Sequence, residues 1–358
     1  MTILFSGGGT LGPVTPLLAI HDVLREEYPD AEFLWVGTKN GPEKDLVERV
    51  GVGFIPLSSG KFRRYISPFF FIDIVRIGIG FLQSLYLCNK ESPDICISAG
   101  GYVSVPLHIA AWLFGIPSWV HQQDVDVGLA NTLMVPFARR ITTALERHSK
   151  SFPKRKTIWL GNPIRQEVLS GNKKQAIKRF GLDASLPVVF ATGGGTGSHR
   201  VNQLVTQAVQ HLDGVCQVIH LSGKDRPQEL VQRAEKHFDF YHVYQFFTDE
   251  MKDAYAVADI VVSRGGFGTI TELAAMGKAS ILIPKPGHQV DNVTFLAEQH
   301  AVIIVDEQTS DGNFLAKTIK ELLANTQKRN QLGKQLHKVM PLATKEKIIE
   351  VFAKVVRR

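Results

Sequence analysis

The sequence is poor in the residues that would mark a secreted, metal-stapled or membrane-spanning protein. It has three cysteines in 358 residues (Cys88, Cys96 and Cys216), with no CxxC spacing and no histidine cluster beside them. That excludes a disulfide framework and a structural zinc site, and fits a reducing compartment. No stretch of about 20 residues lacks polar interruption, so no transmembrane helix is expected. Thr2-Ile3-Leu4-Phe5 passes straight into a glycine loop with no basic segment before it, so no signal peptide is expected. Zinc-finger spacing, an RNP-like aromatic strand and a densely basic helix are all missing, despite a formal net charge of +7. Nucleic acid is therefore not the expected partner. Much of the basic excess is spread singly over helix faces and solvated, and an anionic membrane surface is the partner it leaves open.

What is present is a folded composition, 44% hydrophobic and 21% charged, in a chain long enough for two domains. Strand-like runs near Ile3–Phe5, Glu32–Val36, Phe54–Pro56, Ile95–Ser98, Ser118–His121, Ile141–Ala144 and Thr157–Leu160 fill the first half. Val188–Ala191, Gln217–Leu221, His242–Gln245, Ile260–Ser263, Ser280–Ile283 and Ala301–Val305 fill the second. Helical patterns such as Thr15–Glu27 and Asn202–Leu212 alternate with them, the signature of a parallel α/β fold. Each half opens alike: Leu4-Phe5-Ser6-Gly7-Gly8-Gly9-Thr10-Leu11-Gly12 is echoed by Val189-Phe190-Ala191-Thr192-Gly193-Gly194-Gly195-Thr196-Gly197. Two glycine loops, each between a strand and a helix, predict two facing Rossmann-like domains with the site in the cleft between them. The boundary is expected after Gly161-Asn162-Pro163, giving domains 1–163 and 164–342. Polar Gln166–Gly181 would be the bridge, and the last helix, within 343–358 around Lys345–Val356, would return to the first domain.

Ile260–Gly277, IVVSRGGFGTITELAAMG, is the stretch with the most chemistry. A buried strand ends at Ser263, Gly265, Gly266 and Gly268 turn, and Thr269–Met276 has helical periodicity. Strand, glycine turn and helix present backbone N–H groups and the positive helix end to an anion. Glu272, expected in the first turn, is suited to accept hydrogen bonds from ribose hydroxyls. His288-Gln289 and Asn292 follow a further strand and bring polar groups to the same edge. The combination reads as a pocket for a nucleoside diphosphate; a tight turn with a capping glutamate is the plainer alternative.

Other constellations lie in the first half. Ser67-Pro68 begins a helix whose residues Phe69, Phe70, Phe71, Ile72, Ile74, Val75, Ile77, Ile79, Phe81 and Leu82 leave only a narrow polar stripe. Lys61, Phe62, Arg63, Arg64 and Tyr65 precede it, and bulk beside basic groups suits an anionic bilayer as well as a buried helix with a basic loop. His121-Gln122-Gln123-Asp124-Val125-Asp126 follows a strand. Asp124 and Asp126 spell D-x-D, a spacing that can hold a divalent metal, but a general base is the preferred reading. Arg165 follows a strand at the domain junction, where a surface role and exposure to the cleft are both open.

Taken together, these residues resemble the GT-B glycosyltransferases of the MurG type, UDP-N-acetylglucosamine–lipid I transferases of peptidoglycan synthesis. The resemblance spans essentially the whole chain. It rests on Gly8-Gly9-Thr10, Ser98–Val105, His121-Gln122-Gln123, Gly161-Asn162-Pro163-Ile164-Arg165, the Gly193–Asn202 loop, Phe247-Thr248-Asp249-Glu250-Met251, Gly268–Glu272, and His288-Gln289 with Asn292. It implies that Glu272 holds the donor ribose, that the Thr248 backbone reads the uracil, and that Gly195, Thr196 and Phe267, Gly268, Thr269, Ile270 contact the diphosphate. Gln289 and His288 would bind the sugar, and Asn202, Thr271 and Arg165 complete the implied donor set. Thr10, Leu11 and Gly12 would face the acceptor's diphosphate, with Asp124 beside them. Lys61, Phe62, Arg63, Arg64, Phe69, Phe70 and Phe71 would face the membrane.

Three departures stand out. The family's first loop, G-G-T-G-G-H, is Gly8-Gly9-Thr10-Leu11-Gly12-Pro13 here, so proline replaces a histidine and removes an N–H. The family's H-E-Q-N is His121-Gln122-Gln123-Asp124, which moves the carboxylate two positions along and makes Asp124 the candidate base. The second loop has Gly195 where the family has serine. The resemblance implies an inverting, metal-independent hexosyltransferase with no cofactor, peripheral on the cytoplasmic face of the cell membrane. Its partners would be UDP-N-acetylglucosamine and a polyprenyl-diphosphate-linked acceptor. A different lipid acceptor, a UDP-N-acetylglucosamine 2-epimerase and a catalytically silent UDP-sugar-binding subunit are the rivals.

Overall fold

A computed structural model describes residues 1–60 and 70–357, with the side chains of residues 70–72 left out. The chain divides into two compact units, Met1–Arg165 with Leu342–Arg358, and Gln166–Pro341.

In the first unit seven parallel strands are ordered β3-β2-β1-β4-β5-β6-β7. They are β1 Thr2–Ser6, β2 Glu32–Thr38, β3 Gly53–Leu57, β4 Ile95–Ser98, β5 Ser118–Gln122, β6 Arg140–Thr143 and β7 Thr157–Trp159. Alternate side chains of each strand enter opposite layers. Ile3 and Phe5 pack with Ile97 and Trp119 against the helices Val14–Glu27 and Lys345–Val356. Leu4 and Cys96 point the other way, onto Leu87 and Cys88 of helix Phe70–Glu91 and Leu107 of helix Ser104–Leu113. The C-terminal helix is held here by Val351, Phe352 and Val355, and by the bridge of Asn162 to Leu342.

In the second unit six parallel strands are ordered β10-β9-β8-β11-β12-β13. They are β8 Val188–Thr192, β9 Gln217–Leu221, β10 Tyr241–Tyr244, β11 Ile260–Ser263, β12 Ala279–Leu282 and β13 Ile303–Ile304. Val189 and Ala191 face the helices His199–Val209 and Gly312–Ala324, while Phe190 meets Tyr255 and Phe247 on the opposite layer. In both sheets the first strand lies beside the fourth, so the order reverses there and a crevice opens at the carboxyl edge.

Two expectations are corrected by this architecture. Gln166–Gly181 is not a bridge: it forms helices Gln166–Leu169 and Lys173–Phe180 within the second unit. Asp253 fixes them, accepting from Asn172 N at 3.2 Å and Arg179 Nη1 at 2.9 Å, and Phe180 packs on Tyr244 and Phe247. The division also falls after Arg165 rather than Pro163, so Arg165 belongs to the first unit. Among the described residues no helix is long and apolar enough to cross a membrane.

Candidate active site

Four loops at the carboxyl edge of the second sheet are tied together by Arg264, which sequence reasoning passed over. Its Nε donates to Ser198 Oγ at 2.9 Å, and its Nη1 to Ile283 O at 3.0 Å and Glu307 Oε2 at 2.5 Å. One guanidinium thus joins the loops after β8, β11, β12 and β13. Ser198 is the N-cap of helix His199–Val209, its Oγ also accepting from Val201 N at 3.3 Å. The glycines before it are needed for space: a Cβ on Gly193 would stand 2.2 Å from Ser198 N, and one on Gly197, at φ +67°, 2.8 Å from the Gly223 Cα. Gly195 and Thr196 lie exposed between them.

After β11 the helix spans Phe267–Ala275 with extended Gly266 as its N-cap. Gly268 is therefore inside the helix, not in the turn, and Glu272 lies one turn further along than expected. The half-buried Glu272 accepts at Oε2 from the hydroxyl of buried Tyr255 at 2.8 Å, which fixes its orientation. Burial, and then the nearby Glu272 charge, push the Tyr255 phenol well above its ordinary range, so it remains a donor. Phe267, Ile270 and Thr271 are buried, so any contact they make with a ligand is through backbone; Thr269 is half-buried. The start of helix His288–Glu298 abuts this turn, and Gln289 Nε2 is 3.9 Å from where a Cβ of Gly266 would stand. Gln289 Oε1 accepts from Lys285 N at 3.0 Å, Asn292 Nδ2 donates to Gly265 O at 3.4 Å, and His288 is exposed.

Two members of the expected donor set have hydrogen-bond partners within the chain. Asn202 is buried, donating to Ser222 O at 2.9 Å and meeting His220 Nε2 at 3.1 Å, so its amide orders the end of β9. Thr248 N donates at 2.8 Å to Glu250 Oε2, which closes the turn before helix Met251–Val257.

At the edge of the first sheet, Thr10 and Gly12 are exposed and Leu11 half-buried. Leu11 O accepts from both Val14 N (3.1 Å) and Thr15 N (3.2 Å), while Pro13 and Pro16 have no N–H. The start of this helix thus has little left for an anion. Glu43, also missed from sequence, lies fully buried beneath the loop. Asp124 is half-buried just after β5. The turn Asp124–Asp126 hangs from Gln122 Nε2, which donates to Asp124 O at 2.8 Å and Asp126 O at 3.0 Å, while Gln122 Oε1 accepts from Asn131 at 2.7 Å. Burial and then Arg147 hold the nearby His148 imidazole below its ordinary range, against the opposing pull of Asp126 and Asp124. His121 is fully buried, kept neutral by burial at about 3, and pairs with Thr142 Oγ1 at 2.9 Å. Arg165 Nε lies 3.5 Å from Asp22 Oδ2 of helix Val14–Glu27.

Of the expected membrane residues, Lys61, Phe62, Arg63, Arg64 and Phe69 lie outside the described residues, as do the side chains of Phe70 and Phe71. The helix that continues from them turns its polar Asp73 and Ser84 inward and leaves Ile74, Val75, Ile79, Leu82 and Tyr86 exposed. Trp112, Leu113 and Phe114, at the end of the neighbouring helix, are exposed as well.

Two Rossmann-like units with glycine loops at their switch points define the GT-B architecture of sugar-nucleotide transferases. Residues 3–143 match the N-terminal domain of glycosyltransferase family 28, and residues 188–349 its C-terminal domain. The chain belongs to that family, in its MurG branch. A UDP-N-acetylglucosamine–N-acetylmuramyl-(pentapeptide) pyrophosphoryl-undecaprenol N-acetylglucosamine transferase of Staphylococcus carnosus is 34% identical over 98% of this chain and 96% of its own. The enzyme of that name from Legionella pneumophila strain Paris is 30% identical, with 98% and 96% covered. Among solved structures, Acinetobacter baumannii MurG covers 99% of both chains with a TM-score of 0.72 at 21% identity. A putative UDP-N-acetylglucosamine 2-epimerase of Listeria monocytogenes reaches 0.71 at 12% identity, covering 98% of this chain and 95% of its own, a likeness of fold alone.

Proposed function

We propose that the protein transfers N-acetylglucosamine from UDP-N-acetylglucosamine to the muramyl-pentapeptide of an undecaprenyl-diphosphate-linked acceptor, inverting the anomeric centre. The observation that carries this is the end-to-end identity of 34% to an enzyme so named. In the reaction an acceptor hydroxyl oxygen bonds to the anomeric carbon as the bond from that carbon to the phosphate oxygen breaks. The hydroxyl proton passes to a base, and UDP leaves with the electron pair.

The second unit binds the donor. Glu272 takes the ribose hydroxyls, Gln289 and His288 the sugar, and the backbone of Gly195–Thr196 and Gly266–Thr269 the diphosphate. Helix starts supply the countercharge that the leaving diphosphate needs, with no metal or cofactor in the step. The first unit receives the acceptor at Thr10–Gly12, with Asp124 as the base and Arg165 at its margin. The exposed apolar face of helix Phe70–Glu91, beside Lys61–Arg64 in sequence, supports peripheral docking on the cytoplasmic leaflet.

The test is incubation of purified protein with radiolabelled UDP-N-acetylglucosamine and lipid I, followed by extraction of the lipid. Labelled lipid II is the expected product. Conversion of the sugar nucleotide without acceptor would assign an epimerase, and UDP binding with no product on any lipid would assign a silent subunit. One observation favours a different lipid acceptor: the prolines and the doubly used Leu11 carbonyl at the helix start depart from a phosphate-binding turn. Polyprenyl diphosphates bearing other sugars belong in the same assay.

A further inference from the structure

We infer that Glu43 is a positioning residue for the acceptor-side loop of the first unit, and this rests on the transferase reading above. Its side chain comes from helix Glu43–Arg49, yet reaches back under the loop that follows β1. Oε1 accepts from Thr38 N at 2.6 Å and Thr38 Oγ1 at 2.5 Å, and Oε2 accepts from Gly9 N at 3.2 Å. The carboxylate is fully buried, so these donors stand in for its lost hydration.

The glycines around it are shaped by this one group. A Cβ on Gly8 would stand 2.1 Å from Glu43 Oε1, and one on Gly41 1.9 Å from Oε2. On the other side of the loop, a Cβ on Gly9, at φ +81°, would stand 2.7 Å from the Tyr102 ring, and one on Gly101 3.1 Å from Gly8 O. Gly8 and Gly9 are thus held between a buried carboxylate and an aromatic ring, immediately before Thr10, Leu11 and Gly12.

The backbone hydrogen bonds of the loop give this hold its consequence. Gly7 N donates to Val36 O, Gly9 N to Glu43, and Val14 N and Thr15 N to Leu11 O, while Pro13 and Pro16 have no N–H. Among the described residues, the amides of this loop that are neither bonded nor on a buried residue are those of Thr10, Leu11 and Gly12. Their position follows from where Gly9 is fixed. Glu43 touches no substrate; it sets the three groups that do.

Glu43→Gln isolates the contact. An amide has one acceptor oxygen, and it keeps two bonds by facing Thr38, which turns its NH2 toward the Gly9 N–H. Thr38→Val is the control, removing one hydrogen bond from the same carboxylate but none from the loop. Glu43→Gln is expected to lower kcat/KM for the lipid acceptor by about tenfold or more, since small misplacements of bound reactants cost that much. KM for UDP-N-acetylglucosamine and Kd for UDP stay within about twofold, and hydrogen exchange of the peptide carrying Gly9 accelerates. Thr38→Val shows neither acceptor defect nor faster exchange. Equal defects in the two variants, a parallel loss of UDP affinity, or unchanged exchange at Gly9 would each overturn the inference. Should Glu43→Gln not fold, Tyr102→Leu opens the opposite side of Gly9 and must give the same acceptor-selective defect. Wild-type protein that binds UDP but glycosylates no lipid removes the parent reading, and the acceptor defect with it. Turnover by both wild type and Glu43→Gln at equal rates removes this inference alone.

Discussion

A half-buried carboxylate is useful to a ligand only if something holds it still, and Tyr255 does this for Glu272 through a 2.8 Å hydrogen bond. Glu272→Ala is expected to weaken UDP-N-acetylglucosamine at least about tenfold by calorimetry, the scale of a charged hydrogen-bond pair. Tyr255→Phe should weaken it only a few-fold, because the carboxylate remains and is partly solvated. Affinity untouched by Glu272→Ala would remove the ribose assignment. Asp124 makes a separate prediction: Asp124→Asn should abolish transfer with UDP affinity unchanged, and retained turnover would take the base role from it. Sequence named both carboxylates because their neighbourhoods are local: a glycine turn in one case, the end of a strand in the other. It could not show that the Asn202 amide meets His220 of β9 and Ser222 just after it, residues 18 and 20 positions further along the chain. It missed Glu43, since no spacing rule connects a helix-start glutamate to a glycine loop 34 positions earlier.

Elements were more legible than residues, because burial on both faces writes parallel strands as short apolar runs bounded by glycine. What periodicity could not supply was which element ties the others together. Arg264 and Glu307 form an ion pair with side chains only 11% and 14% exposed, and with the other bonds of Arg264 it joins four loops of the second unit. Arg264→Met leaves Glu307 without its partner and should cost about 3 kcal/mol. For a domain of this size that is a fall in melting temperature of roughly 6–12 °C by calorimetry. Arg264→Met with Glu307→Leu should recover part of it; a double variant no better than the single would mean that the pair is not the cause. Helix Phe70–Glu91 carries the opposite lesson. Its apolar residues suit a bilayer or a core alike, and the described part divides, with Leu87 and Cys88 inside and Val75 and Leu82 61% and 66% exposed. Val75→Glu with Leu82→Glu should leave stability within about 0.5 kcal/mol, as surface changes do. Co-sedimentation with anionic vesicles should fall several-fold, and unchanged sedimentation would move the docking face elsewhere.

At the scale of the molecule, the two units differ in how they answer acid. Burial holds His108 and His121 of the first unit and His220 of the second at about 3, against 6.5 for the unperturbed side chain. His148 in the first unit and His242 in the second are also lowered, chiefly by burial. Between those limits the unfolded chain binds protons that the folded chain refuses. Stability therefore falls as pH drops through 6.5 toward 3, and above that window these groups contribute no pH dependence. Each fully neutral histidine steepens the slope by up to about 1.4 kcal/mol per pH unit, and most carboxylates titrate lower, so pH 5.5 to 7.5 isolates the effect. The first unit holds two of the three most strongly shifted rings and should weaken faster. The reporters are already separated, since Trp35, Trp112, Trp119 and Trp159 all lie in the first unit. Trp119 is directly coupled to the group in question: its Nε1 donates to Thr142 Oγ1, the partner of His121. Urea unfolding followed by tryptophan emission should therefore lose more midpoint between pH 7.5 and 5.5 than unfolding followed by loss of UDP binding. His108 supplies the decisive variant, because among the described residues neither of its ring nitrogens has a hydrogen-bond partner. His108→Leu removes a titrating group without orphaning another polar atom. It should match the wild type at pH 7.5 and exceed it at pH 5.5, and an unchanged acid slope would mean that the burial of this ring is not what makes the first unit acid-sensitive.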